Sequence, residues 1–161
     1  MNINKFTQKS IEAINNCQNI ISEYGNQYVE QVHLLYSLIT IDDSLIAQLL
    51  KKMGVPLEQF KSSITDEISR LPKVSGAGQM YFSQGANLAL TKAEEHAKSM
   101  GDEYVSVEHI FLSLMKEADP TLKKLFQQYG ITKDGLLKAL AEVRGNQRVM
   151  SDNPEDSYDT L

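Results

Sequence analysis

The sequence predicts an all-α protein of about eight helices, arranged as two four-helix tandem repeats related by a pseudo-two-fold axis. Three observations predict this fold. The stretch "GNQYVEQVHLLYSL" begins at Gly25, and "GDEYVSVEHIFLSL" begins 76 positions later, at Gly101. Apolar residues recur at helical spacing in both halves of the chain. No stretch alternates apolar and polar residues for long enough to predict a sheet.

The repeat extends without a gap from Phe6 to Ile68 when the offset is held at 76. Matching residues stand at predicted turns and on apolar helix faces, where a duplicated fold constrains the residue type most. They pair Phe6 with Phe82, Tyr28 with Tyr104, His33 with His109, Leu49 with Leu125 and Gly54 with Gly130. Copy one therefore spans about residues 6–70 and copy two about residues 82–144.

The first helix of each copy has a start signal, an apolar stripe and a stop signal. Thr7 and Ser83 stand at matching N-cap positions, where a hydroxyl accepts a hydrogen bond from a free backbone N–H. Gly25 and Gly101 follow as C-terminal stops. The stripes consist of Ala13, Ile14, Cys17 and Ile21 in copy one and of Ala89, Leu90, Ala93 and Ala97 in copy two.

Three further helices follow in each copy, each with its own apolar face. The second carries Leu34, Leu35, Leu38 and Ile39, matched by Ile110, Phe111, Leu114 and Met115. The third carries Ile46, Leu49 and Leu50, matched by Leu122, Leu125 and Phe126. The fourth carries Phe60, Ile64 and Ile68, matched by Leu136, Leu140 and Val143. These faces are the predicted core.

Two polar stretches bound the repeats. The segment "RLPKVSGAGQMY", which starts at Arg70 and joins the copies, contains a proline and two glycines that break helices, so it is predicted to be a loop. After Gly145 the chain is polar and acidic and has no apolar period. We therefore assign residues 1–145 to the double repeat and residues 146–161 to the start of a linker towards a further module.

The charge balance and the single cysteine restrict the class of protein. The chain has 16 Lys and Arg against 21 Asp and Glu, a net charge of −5, without a basic stripe, so nucleic-acid binding is not expected. No apolar run reaches the ~20 residues that a membrane span needs, and no secretory signal is present. Cys17 has no partner for an internal disulfide. We expect a cytoplasmic domain whose partners are proteins.

Motifs for catalysis, nucleotides or metals are missing from the sequence. No G-x-x-x-x-G-K-[ST] loop is present, so we expect neither an enzyme nor a bound cofactor in this fragment. His33 and His109 lack the further ligands of a metal site, and each is predicted to make an orienting hydrogen bond within its own repeat. Cys17 is a predicted packing residue because its counterpart is Ala93. His96, beside a run of charges, is predicted on a solvated face.

The pattern "F-[TS]-Q … G-x-x-Y-V-x-x-x-H-[LI]", present twice, resembles the amino-terminal domain of Clp ATPases, the double Clp repeat. "RLPKVSG" and "VRGNQRVMSDNPEDSYDTL" are similar to linkers of the disaggregase branch of that family. The resemblance implies a monomeric domain that recognises unfolded or aggregated polypeptide and helps deliver it to an ATPase ring. It also implies that ATP binding and hexamer formation belong to ATPase modules outside this chain.

The resemblance places substrate contacts at Thr7, Asp102 and Glu108, with Leu90 and Val107 as apolar neighbours. We expect these residues to form a small polar and acidic patch beside apolar surface. Such a patch can accept backbone N–H groups or the Lys and Arg side chains of a client. Each polar residue also has a local explanation, because Thr7 can cap a helix, Asp102 suits an exposed turn and Glu108 complements a helix dipole.

Two other functions stay open at this point. The ClpA and ClpC branches of the same family use this domain to dock adaptor proteins, and a small enzyme using His33 or Cys17 is a third possibility. The ClpC branch carries Glu before the His in both repeats, a pair linked to phosphoarginine recognition. Here Glu108 precedes His109, but Val32 precedes His33, so half of that pair is missing. The difference favours the disaggregase branch.

Overall fold

Eight α-helices form the part of the chain that the computed structural model describes, which comprises residues 2–76, 79–145, 149 and 151–155. Copy one contains α1 (Gln8–Tyr24), α2 (Gln31–Thr40), α3 (Leu45–Lys52) and α4 (Leu57–Ser69). Copy two contains α5 (Gln84–Ser99), α6 (Val107–Lys116), α7 (Pro120–Gln128) and α8 (Lys133–Arg144). A single 3-10 turn, Ile3–Lys5, precedes α1. The predicted all-α fold with four helices per copy is confirmed.

The predicted helix signals act as expected in both copies. The Thr7 hydroxyl accepts from the backbone N–H of Ser10 at 3.2 Å, and the Ser83 hydroxyl accepts from that of Ala86 at 3.1 Å. Gly25 ends α1 with a φ of 71°, in the left-handed region that favours glycine. The two copies therefore start their first helix with the same local chemistry.

The two copies exchange short backbone pairings that the sequence did not predict. Strand β1 (Tyr28–Val29) pairs in parallel with strand β2 (Tyr81–Phe82), and Phe6 forms an isolated parallel bridge with Val105. A shift of 76 residues turns the Val29–Phe82 pair into the Val105–Phe6 pair with the copies exchanged. Two-residue strands are too short to show a period of two. The matched pairings agree with the predicted pseudo-two-fold axis.

One continuous core runs through both copies. Helix α2 contacts α6 at the centre, and the contact of α1 with α6 has its counterpart in the contact of α5 with α2. Phe60, Phe111, Leu35, Ile46 and Leu49 are among the largest fully buried side chains. Since both repeats contribute to one core, each copy also buries apolar surface against the other. The predicted apolar faces are confirmed as the core, except that Met115 is half-buried at its edge.

The two polar stretches that bound the repeats, the inter-repeat segment and the segment after Gly145, differ in their structure. The described residues of the inter-repeat segment, 70–76 and 79–80, lie outside helices and strands, as predicted, while Tyr81 lies in β2. Of the predicted linker, residues 146–148, 150 and 156–161 lie outside the described residues. Val149 and residues 151–155, called the strap from here on, lie against the body of the domain. Across the described residues, no helix combines the length and apolar character of a membrane span.

Candidate functional site

His33 holds together the start of α2 in copy one. Its Nδ1 accepts a hydrogen bond from the backbone N–H of Glu30 at 2.8 Å, and its Nε2 lies 2.9 Å from Oδ1 of Asn26. An amide oxygen can only accept, so Nε2 carries the proton. The side chain is fully buried, and burial lowers the pKa of His33 to about 4. The predicted orienting role of His33 is confirmed.

Acid is expected to destabilise the fold through His33 as the pH falls below 6.5. The unfolded chain binds a proton near pH 6.5, whereas the folded protein keeps His33 neutral down to about pH 4. Between these values the unfolding equilibrium constant should rise by up to about tenfold per pH unit. Urea unfolding at a series of pH values measures the slope, which should be shallower in a His33→Gln variant. An unchanged slope in that variant would contradict the assignment to His33.

His109 makes the matching arrangement in copy two, with a charge added. Its Nδ1 accepts from the backbone N–H of Ser106 at 2.9 Å, and its Nε2 lies 2.7 Å from Oδ2 of Asp102. Asp102 stands where copy one has Asn26, so a carboxylate replaces an amide. Arg144 donates from Nη2 to the second oxygen of that carboxylate. Copy two therefore carries a buried ion pair that the fold of copy one does without.

The carboxylate of Asp102 is held ionised although its side chain is fully buried. Burial alone would raise its pKa. Hydrogen bonds from His109, Arg144 and the backbone N–H of Val149 outweigh burial and lower the pKa of Asp102 to about 2. The guanidinium of Arg144 also approaches the carboxylate of Glu108, with Nε 3.9 Å from Oε2. One arginine thus links two buried carboxylates.

The strap is bound to the body mainly through its backbone. The carbonyl oxygen of Val149 accepts from the N–H groups of Glu103 and Tyr104 at 2.8 and 3.1 Å, and its own N–H donates to Asp102 at 2.8 Å. Farther along, the carbonyl of Asp152 accepts from the backbone N–H of Gln8 at 2.8 Å. We call the surface formed by residues 7–8 and 102–108 the groove. The four hydrogen bonds named above all use backbone groups of the strap.

Glu155 anchors the end of the strap where two helices begin. Its Oε2 accepts from the Thr7 hydroxyl at 2.8 Å, and the backbone N–H of Val107 lies 3.4 Å from the same oxygen. Thr7 precedes α1 and Val107 opens α6, so both helix dipoles favour a negative group there. Burial, with the nearby charge of Glu108, nevertheless raises the pKa of Glu155 to about 7. Its charge state therefore changes near neutral pH.

The structure brings four of the five predicted site residues to the groove but buries all of them. Thr7, Asp102, Glu108 and Val107 lie in or directly beneath the groove, and each is at most 6% exposed. The expectation of an exposed patch is wrong. The Asp102 carboxylate is buried against Arg144 and His109, and the strap covers Thr7 and Val107. Leu90 is 0% exposed in the core at the position of Ile14, so the expectation that it offers apolar surface is also wrong.

Sequence reasoning missed three residues that contact the groove, namely Arg144, Val149 and Glu155. Arg144 had a signal, because it stands opposite Ile68 in the repeat while Asp102 stands opposite Asn26, a paired gain of opposite charges. Val149 and Glu155 had no such signal. They follow the second copy, so the repeat offers no counterpart, and their contacts join positions more than 45 residues apart in sequence.

Other candidates for chemistry do not form a catalytic or metal site. Cys17 is fully buried, burial raises the pKa of its thiol to about 12, and its predicted packing role is confirmed. Among the residues that the structure describes, no cluster of three His, Cys, Asp or Glu side chains could hold a metal ion. His96 is half-buried and lines a cavity, so the prediction of a solvated face is only partly right.

Comparison with known proteins identifies the domain. The family model of the Clp repeat (R) N-terminal domain matches residues 5–129. The chain belongs to the Clp repeat family. Chaperone protein ClpB of Nitratidesulfovibrio vulgaris is 39% identical over 166 residues, and ClpB of Bacillus anthracis is 38% identical over 165. Each match takes in 100% of this Clp repeat domain and 19% of the relative, so the chain spans about a fifth of the ClpB chains it matches.

Solved structures agree with this assignment. The Hsp104 N-terminal domain from Candida albicans has a TM-score of 0.82 at 25% identity, and the match covers 94% of this chain and 99% of that domain. A ClpV N-domain in complex with a VipB peptide has a TM-score of 0.70 at 24% identity, covering 95% and 91% of the two chains. The likeness to ClpV establishes a shared fold. The predicted resemblance to the Clp family, and to its ClpB members, is confirmed.

Proposed function

We propose that this Clp repeat domain recognises unfolded or aggregated polypeptide for a ClpB-like disaggregase and helps deliver it to the ATPase ring. The observation that supports this best is the strap, because the groove already holds a polypeptide segment by its backbone. Backbone recognition suits a receptor whose ligands share no sequence. The ClpV N-domain, a protein of the same fold, forms a complex with a VipB peptide, which supports a peptide-binding role.

The groove offers a client the same contacts that it offers the strap. The N–H groups of Gln8, Glu103 and Tyr104 donate to carbonyls of a bound chain, and the Asp102 carboxylate accepts a backbone N–H. The Thr7 hydroxyl takes an acidic or polar side chain. Because the strap makes these contacts first, a client binds by displacing it. Such binding is weak and sequence-tolerant, since the client also loses conformational entropy on ordering.

The role in a larger protein rests on the ClpB relatives, of which this chain covers 19%. We propose that the rest of the parent chaperone binds ATP and forms a hexamer, and that this domain sits beside the ring as a cytoplasmic client receptor. The domain itself is proposed to be monomeric and to catalyse no reaction. Its contribution is to concentrate loose chains near the pore.

In a chain that ends at Gly145, and so has no strap to compete, a Thr7→Ala substitution is expected to weaken client binding about three- to tenfold, because one hydrogen bond in a partly buried groove contributes about 1 kcal/mol. Fluorescence anisotropy with labelled casein, an unstructured polypeptide, measures the affinity. The matched control is Ser83→Ala, which removes the equivalent N-cap of α5 and costs similar helix stability, about 1 kcal/mol. Equal binding losses in both variants would mean that the effect comes from helix stability, and the groove assignment would be wrong.

A further inference from the structure

A cavity of about 410 Å³ lies on copy two, between α5, α6, α7 and the start of α8. Its apolar floor includes Leu112, Phe126 and Ile131, each at most 6% exposed, together with the half-buried Met115. Binding pockets for small ligands and peptide side chains have volumes of about 300–1,000 Å³. The cavity is therefore large enough for one or two apolar side chains of a partner. None of its lining residues belongs to the groove.

The rim of this cavity is cationic in a protein of net charge −5. Lys116, Lys123 and Lys133 line it from three different helices, and no carboxylate is among the lining residues. Within the described part of the chain, none of these three amines has an ion-pair partner within 4.0 Å. Burial lowers the pKa of His96, the nearby Lys116, His109 and Lys133 lower it further, and Glu117 acts in the opposite direction. The rim attracts negative groups on both sides of an apolar floor.

The internal repeat indicates that the fold does not require these cations. At the corresponding positions copy one has Thr40 for Lys116, Ala47 for Lys123, Leu57 for Lys133 and Ile20 for His96. Ile20 and Leu57 are 4% and 8% exposed, so copy one closes over the same position with apolar side chains. At these positions copy two instead has a cavity with a charged rim.

Helix electrostatics also argue against a stabilising role for the rim. Lys133 is the first residue of α8, where the helix dipole disfavours a positive charge. Lys116 lies in the last turn of α6, where a cation is favourable, but Lys123 lies in the second turn of α7. A residue that the local electrostatics disfavour, kept beside two other unpaired lysines, points to a ligand outside the chain.

We propose that this cavity is a second protein-docking site, which takes an acidic peptide segment of a partner with an apolar side chain anchored on the Leu112–Phe126 floor. Aspartate or glutamate residues on either side of the anchor pair with Lys116, Lys123 and Lys133. A nucleic acid fits less well, because three cations around an apolar floor do not follow a phosphate backbone. The site is separate from the groove, so it holds whether or not the groove binds clients.

The probe is a labelled peptide in which leucine and phenylalanine alternate with aspartate and glutamate. We expect it to bind the whole domain, to shift backbone amides around the cavity in NMR spectra, and to dissociate as salt is added. A peptide with lysine in place of the acids, and one with serine in place of the apolar residues, should each bind at least about tenfold more weakly. Equal binding of either peptide, or amide shifts confined to the groove, would overturn the proposal.

Charge reversal at the rim provides the second test. Lys116→Glu, Lys123→Glu and Lys133→Glu together should reduce peptide affinity at least about tenfold, because three attractive contacts become repulsive. The matched control is Lys51→Glu in copy one, at the position that corresponds to Gln127 of copy two. Lys51 is exposed and has no ion-pair partner within 4.0 Å among the residues that the structure describes, so this change should alter affinity by less than about twofold. Equal losses in both, or tighter binding of a single-stranded oligonucleotide to the wild-type rim, would refute peptide docking here.

A variant that carries the residues of copy one at two positions tests whether filling the cavity abolishes the site. His96→Ile with Lys133→Leu installs the residues that pack well at the same positions of the first repeat. This variant should fold and lose peptide binding by about tenfold or more while keeping casein binding within about twofold. If this variant lost casein binding but kept peptide binding, the peptide would not bind in the cavity and the inference would be overturned. The proposed groove function is tested by casein, and this site by the peptide, so the two fail separately.

Discussion

Ending the chain at Gly145 is expected to increase affinity for unfolded polypeptide by about tenfold or more. The strap occupies the groove in cis, so a client binds only the fraction of molecules in which the strap is released. If about 90% of the molecules hold the strap, the apparent dissociation constant is about tenfold above the intrinsic one. Labelled casein and fluorescence anisotropy measure the change directly. The gain should appear mainly in the association of client with the free groove.

A variant that keeps the full chain length but weakens the strap contacts tests whether the gain comes from strap release and not from the shorter chain. Val149→Pro together with Glu155→Ala keeps the chain length, removes the N–H that donates to Asp102 and the carboxylate that accepts from Thr7, and should also raise client affinity. A Ser99→Gly substitution, at an exposed residue near the end of α5, should change nothing. If amide hydrogen exchange shows that the strap is released while casein affinity stays the same, the strap is not a competitor.

The same release should follow from raising the pH through neutrality. The docked strap keeps Glu155 protonated up to about pH 7, whereas a released glutamate ionises near pH 4.5. A raised pKa in the docked state stabilises docking fully below pH 4.5 and loses that stabilisation as the pH rises to 7. Glu108 faces Glu155 and adds to the repulsion once both are charged. Client affinity should therefore be higher at pH 8 than at pH 6.

An Arg144→Ile substitution is expected to destabilise the domain by about 3 kcal/mol. It leaves the carboxylates of Asp102 and Glu108 buried without their guanidinium, and removing one partner of a buried ion pair costs about 3–5 kcal/mol. Urea unfolding followed by circular dichroism measures the loss. Arg70→Ile is the matched control, because the Arg70 side chain is 69% exposed and its pair with Glu67 should contribute at most about 1 kcal/mol.

The repeat supplies a rescue for this variant. Copy one fills the three positions with Asn26, Val32 and Ile68, so Asp102→Asn with Glu108→Val and Arg144→Ile installs an uncharged set that already packs in this fold. We expect the triple variant to regain stability to within about 1 kcal/mol of wild type, since the desolvated charges are gone. A triple variant as unstable as Arg144→Ile would show that packing of the arginine stem, and not charge, explains the loss.

The fold could be predicted from the sequence because the sequence is duplicated. Each copy repeats its N-cap, its glycine stop and its apolar faces at a constant offset, so a signal that is weak once becomes strong when it occurs twice. The histidines followed by the same reasoning, because His33 and His109 occupy equivalent positions and each bonds the backbone N–H three residues earlier. The short strands were missed, since two residues carry no period.

The candidate site could be predicted only in part from the sequence. The family resemblance selected residues that meet in space, and Thr7, Asp102, Val107 and Glu108 do share one region. What the resemblance could not supply was their exposure. The sequence is consistent with Asp102 in an exposed turn. Only the tertiary structure shows that its carboxylate is buried and hydrogen-bonded to His109 and Arg144. Burial depends on what covers a residue, and the cover comes from distant positions.

The sequence by itself determined the helices, the core faces, the repeat and the family, because these depend on local propensity, spacing and a constant offset between two copies. Only the tertiary structure decided that the strap lies in the groove, that the half-buried Glu155 lies beside Glu108, and that the lysine-rimmed cavity stays open in copy two. The physical reason is that contacts between distant segments depend on which surfaces face each other after folding. No period, cap or motif in the chain encodes that arrangement directly.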